Sequence, residues 1–150
     1  MTDAEIREGL GDHAPLAENH DPESARRAGE VDGVPVMLNA TVDDADVVLA
    51  TGMVEPHQYA GFSGGAKTVV IGAGGEPIIR YTHGPEMLSR DAVRLGRVEG
   101  NPFRDAVDRA GDVAGPDFCI NVTKGPAGFL GVAAGRPRDV VRDLSATPRN

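Results

Sequence analysis

Apolar positions in this chain fall in short blocks separated by glycine, proline and acidic residues, the punctuation of a mixed domain. At the N-terminus, Thr2 precedes Glu5 by three positions, and Ile6 and Leu10 follow at helical spacing, which predicts a short capped helix ending at Gly9 or Gly11. Residues 34–39 read as a strand, 41–46 as a turn and 47–52 as a second strand. The continuous apolar run that stops at Gly52 fits a strand covered on both faces. After the apolar residues 68–71 come the flexible glycines of 72–75, then a predicted helix over 77–82 that delivers His83. A further helix is predicted over 102–110, with Phe103, Ala106, Val107 and Ala110 on one face. Residues 117–122 read as a strand, 129–135 as its hairpin partner and 137–144 as a terminal helix. This order of elements predicts an α/β domain, without internal repeats or a low-complexity linker.

Composition narrows the function classes. A chain of 150 residues with 40% hydrophobic content can bury one core. The net charge of −8 and a lysine complement of only Lys67 and Lys124 argue against a nucleic-acid partner, which would need clustered cations. Cys119 stands alone and so rules out an internal disulfide, and its neighbours Phe118 and Ile120 mark it as a small buried hydrophobe. No apolar run approaches the roughly 18 residues that a membrane span requires, and the acidic start lacks a secretory pattern, so a cytoplasmic location with no membrane partner is expected.

The chemistry concentrates between Glu55 and Lys67, with His83 downstream. His57 lies just past a strand end, where open α/β sheets carry their binding residues. A neutral imidazole can exchange a proton or bind a metal, a lysine amine can hold a phosphate or form a covalent link, and glycines admit an anion to the backbone. Together they point to a cofactor site. The turn from Gly61 to Thr68 nearly matches the phosphate-cradling pattern G-x-x-x-x-G-K-[ST], but Ala66 replaces its second glycine and the flanking strand and long helix are missing. A weaker phosphate- or nucleotide-binding alternative survives through an anion nest of the Ser63, Gly64 and Gly65 amides. His13 and His20 lack metal-ligand spacing, so a zinc site is unsupported.

At these residues the chain resembles the nickel-dependent lactate racemase family. Pro56-His57 followed by Ala60-Gly61-Phe62-Ser63-Gly64-Gly65-Ala66-Lys67 is similar to the family motif P-H-x-[FY]-A-G-F-S-G-G-x-K, and His83, Asn19-His20-Asp21, Asn101-Pro102 and the 117–122 strand also match family features. The resemblance implies a partial Rossmann-like domain, its mostly parallel sheet flanked by helices. It also implies a nickel-pincer nucleotide tethered to Lys67 by a thioamide, with His83 as the protein ligand to nickel. His57 would then be one of two acid/base histidines, and Tyr59, Ser63, Gly64 and Gly65 would contact the cofactor. The implied reaction racemises a small 2-hydroxy acid, lactate by default, by reversible hydride transfer, with cofactor-maturation proteins as partners.

Set beside the family, the chain is similar to the second half of its N-terminal domain. The upstream segment, with the other catalytic histidine and an arginine, and the C-terminal domain have no counterpart in these residues. The expectation is a site that is incomplete alone and is filled by a complementary chain. A noncatalytic relic or binding fragment is the alternative, and the open sheet edge of a half domain is expected to be prone to association.

Overall fold

The computed structural model describes residues 2–126 and 128–148. Helix α1 (Asp3–Leu10) starts as read: Glu5 N–H donates to the Thr2 hydroxyl at 3.3 Å while Thr2 N–H donates to the Glu5 carboxylate at 2.7 Å, a reciprocal cap. Two stretches of 3₁₀ helix, Gly11–Leu16 and Pro22–Ser24, lead into a hairpin of β1 (Arg26–Val31) and β2 (Val34–Leu38). Its turn places Asp32 at φ 53° and Gly33 at φ 77°, the left-handed pair that matches the twist of a two-residue hairpin. The Asp32 carboxylate pairs with the Arg109 guanidinium and accepts from the Tyr81 hydroxyl at 2.9 Å, tying the hairpin to two later helices.

Where a turn was expected, Asn39 caps a single helical turn, α2 (Ala40–Asp43), by accepting from Thr41 N–H and Val42 N–H. The central sheet has the order β3 (Leu49–Met53), β6 (Phe118–Gly125), β7 (Gly128–Gly135), with β3 parallel to β6 and β7 antiparallel to it. The α/β class and the C-terminal hairpin are as expected. The sheet is mixed where a mostly parallel one was expected, because β6 and β7 are joined by a reversal far too short for the dozen or so residues of a parallel crossover.

Period-two alternation sorts the sheet into unlike faces. Ala50, Cys119, Asn121 and Thr123 are buried on the inner face, against Val140, Val141 and Leu144 of α7 (Pro137–Ser145). Burial there pushes the Cys119 thiol up to about 11. On the outer face, Leu49, Phe118, Ile120 and Val132 are exposed. A second core joins Val31 and Val36 of the hairpin, Val70 of α3 (Lys67–Val70), Ile78 of α4 (Glu76–His83), Met87 of α5 (Pro85–Leu88), and Phe103, Val107 and Ala110 of α6 (Pro102–Ala114). The apolar stripe of α6 is the one read from the sequence, and the helix continues past 110 to Ala114.

Candidate active site

The site grows from the carboxyl end of β3. Val54 N–H donates to Val122 O at 2.8 Å, extending the sheet pairing, and the chain then folds into a small ribbon of β4 (Pro56–His57) against β5 (Gly61–Phe62), with His57 opposite Gly61. Ser63 closes the ribbon: its N–H donates to Glu55 O at 2.8 Å, its hydroxyl donates to Met53 O at 2.8 Å and accepts from Glu55 N–H at 3.0 Å. Gly64 and Gly65 follow at φ 78° and 62°. A Cβ on Gly65 would stand 2.6 Å from Val141 and 2.9 Å from the Pro137 carbonyl, so neither backbone nor space admits a side chain. Gly65 N–H donates to Asn121 Oδ1 at 2.9 Å, stitching the turn to β6.

These bonds bear on the phosphate-nest alternative. The Ser63 and Gly65 amides are both engaged within the fold, and the helix after the turn, α3, is a single turn of four residues. A phosphate cradle needs those amides free and a long helix behind them. The P-loop-like reading is therefore corrected: this turn is a structural clasp that sets Lys67 at the start of α3. Ser63 and Gly65 do positioning work in this clasp, beside the cofactor contacts expected of them and of Gly64.

His57, Tyr59 and His83 come together around one ring. The centroid of Phe103, which is fully buried, lies 6.2 Å from that of His57, 6.4 Å from that of Tyr59 and 4.9 Å from that of His83, the last edge-to-face at 82°. Tyr59 is also 6.2 Å from each imidazole. Helix α4 supplies His83 at its last residue, because Pro77 starts the helix and the Gly84-Pro85 pair ends it.

Hydrogen bonds fix each imidazole. His57 Nδ1 accepts from Tyr59 N–H at 3.2 Å and Ala60 N–H at 3.1 Å, so in the neutral ring the proton sits on Nε2. His83 Nδ1 lies 3.0 Å from both Ile79 O and the Thr82 hydroxyl; the carbonyl can only accept, so the neutral ring is best satisfied with its proton on Nδ1 and a lone pair on Nε2. That is the arrangement of a metal-binding histidine, whose other nitrogen is oriented by a carbonyl. Burial, with the charges of Lys67, His83 and Arg104 added, lowers His57 to about 4. Burial first and the Arg104 guanidinium second hold the half-buried Lys67 ammonium below its ordinary value, which favours the neutral amine needed for bonding to carbon.

The donor set fits a tethered, metal-bearing group: one amine whose charged form is disfavoured by burial, and one imidazole with Nε2 free, set against an aromatic wall. Among the described residues, no group of three or more His, Cys, Asp or Glu side chains could hold a metal unaided. Sequence reasoning missed Phe103 as the shared wall, taking it only as core, and missed Asn121 and Arg104 as supports of the turn. Asn101 was noted only beside Pro102. Its Nδ2 donates to Tyr59 O at 2.8 Å, and its Oδ1 caps α6.

The family model for the lactate racemase N-terminal domain matches residues 8–96. A lactate racemase of Thermoanaerobacterium thermosaccharolyticum is 33% identical over 90 residues, 60% of this chain and 21% of the relative. A lactate racemase of Lactiplantibacillus plantarum is 29% identical over 124 residues, 77% of this chain and 29% of the relative. Among solved structures, the lactate racemase apoprotein of T. thermosaccharolyticum superposes with a TM-score of 0.85 at 27% identity, covering 97% of this chain and 37% of that one. A protein from Thermotoga maritima shares the fold at a TM-score of 0.72 and 19% identity, covering 97% of this chain and 41% of that one. The chain thus spans less than a third of the length of the curated relatives it matches.

Proposed function

The chain belongs to the family of the lactate racemase N-terminal domain, and from that premise we propose that it carries the cofactor-holding part of a racemase or epimerase of small 2-hydroxy acids, lactate first among them. The observation that carries the reading is the joint placement of His57, Tyr59 and His83 on Phe103, with Lys67 held one clasped turn away. Lys67 would hold a nickel-pincer nucleotide through Nζ and His83 would bind its nickel through Nε2. When bound, the group would supply a reversible acceptor for the α-hydride of the substrate.

The residues of this chain do the rest of the local work. His57 stays neutral at ordinary pH, and its Nε2–H would hydrogen-bond the substrate oxygen as negative charge builds there, without giving up the proton. Phe103 and Tyr59 form the aromatic wall against which that ring is set. The complementary acid/base histidine, which takes up the hydroxyl proton, would come from outside these residues on a partner polypeptide, and maturation proteins would load Lys67. No helix among the described residues is long and apolar enough to cross a membrane, and a cytoplasmic site of action is part of this reading.

The isotope test follows directly. The chain, matured with pincer-synthesis proteins and supplied with the complementary polypeptide, is given D-lactate deuterated at C2. Retention of deuterium in the L-lactate formed supports hydride return, while loss of the label to solvent contradicts it.

A further inference from the structure

Arg104 lies in the first turn of α6 and is 1% exposed, a rare setting for a guanidinium. Its Nε donates to Ala60 O at 3.4 Å, its Nη1 to Gly64 O at 3.4 Å and to Asp108 Oδ1 at 3.3 Å, and its Nη2 to Phe62 O. The carbonyls it reaches alternate along one turn, the turn that joins His57 to Lys67. As a stabiliser of the core this is a poor use of a charge: a buried ion pair costs so much desolvation that an apolar side chain of similar volume serves as well or better. What the guanidinium provides, and an apolar residue could not, is a planar set of donors for several carbonyls at once.

Its neighbours act on the same segment. Asn101 holds Tyr59 O, and Phe103 touches both imidazoles. The first turn of α6 therefore grips the loop from 59 to 64. We infer that Arg104 is a positioning residue of this site, acting through the 60–64 turn to keep the His57 ring and the Lys67 amine in place and setting a fixed positive charge beside that amine. The loop amides that lock His57 Nδ1 belong to Tyr59 and Ala60, and the carbonyls of those same residues are held by Asn101 and Arg104. The inference rests on the reading of His57 and Lys67 as working groups, but its test requires neither cofactor nor substrate.

The full chain is acetylated across a pH series, and Lys67 and Lys124, its only lysines, are quantified by peptide mass spectrometry. Long-range proton–nitrogen spectra of the histidine rings are recorded alongside. In the wild-type chain, Lys67 is modified from a lower pH than Lys124. In R104M the onset at Lys67 moves up toward that of Lys124, and His57 loses its single-tautomer signature. R104K keeps the charge without the planar fork, so the Lys67 onset stays low while the His57 signature is lost. A Lys67 profile in folded R104M that matches wild type overturns the inference, as does an R104K chain whose His57 signature is unchanged. Should R104M not fold, R104K decides by the same criterion. A chain that passes these tests yet never takes up the cofactor refutes the functional reading and leaves the positioning role intact.

Discussion

His57 and His83 meet the same Phe103 ring with their Nδ1 atoms committed in opposite senses, that of His57 accepting from two backbone amides and that of His83 donating to the Ile79 carbonyl. Two residues of one type are thereby given unlike tasks by local backbone. One offers a proton at Nε2, the other a lone pair. Long-range proton–nitrogen correlation spectra at neutral pH should show His57 as the Nε2–H tautomer and His83 as the Nδ1–H tautomer. Rapid averaging of tautomers at either ring would contradict the assignment.

The depressed value of His57 makes stability depend on pH. Its ordinary value is 6.5 and its folded value is about 4, so the unfolded chain binds the proton more readily between them. The contribution is fully present above pH 6.5 and is lost as pH falls toward 4. Denaturant melts across that window should show a falling midpoint, with a shallower fall in H57Q. Equal slopes in the two chains would remove His57 as the cause.

The clasp between Gly65 and Asn121 is testable by stability alone. Gly65→Ala forces a side chain into left-handed backbone and into Val141, and should cost about 1–3 kcal/mol. Asn121→Ala strands the buried Gly65 amide at a similar cost of about 1–3 kcal/mol. Because both substitutions loosen one contact, the double variant should lose less than the two single losses combined. Full additivity in urea melts would mean that the clasp does not act as a unit.

The outer sheet face has the character of a covered surface. Val132 is 68% exposed and is registered opposite Val122, beside Ile120 and Phe118. Patches of this kind drive association when left bare. Ile120→Ser with Val132→Thr should reduce binding of a hydrophobic dye and raise solubility while moving the folding free energy by only about 0.5 kcal/mol per site. A large loss of stability instead would place these side chains in the core of the isolated chain.

Much of the scaffold was legible because it obeys local rules: the α1 cap at Thr2, the α6 stripe through Phe103 and Val107, the β6–β7 hairpin and the buried Cys119. Strand β1 was missed because Arg26, Arg27, Gly29 and Glu30 carry no alternating apolar signal, although Asp32-Gly33 is a hairpin turn pair that announces it. The motif marked out His57 and Tyr59, which the fold brings with His83 onto one ring. Their supports were not legible, since Asn121 and Arg104 lie far along the chain from the turn they hold, and contacts of that separation leave no spacing pattern. The bond from Gly65 N–H to Asn121, with that from Ser63 N–H to Glu55 O, is what weighs against a phosphate nest at this turn.

The proposed function requires Lys67 and His83 to hold one tethered, nickel-bearing group. Intact-mass and nickel analysis of the chain co-produced with pincer-synthesis proteins tests it directly. The account predicts a covalent mass increase with bound nickel in the wild-type chain, loss of the mass increase in K67A, and loss of nickel with the mass increase retained in H83A. An adduct that persists in K67A, or nickel that stays bound in H83A, would contradict it.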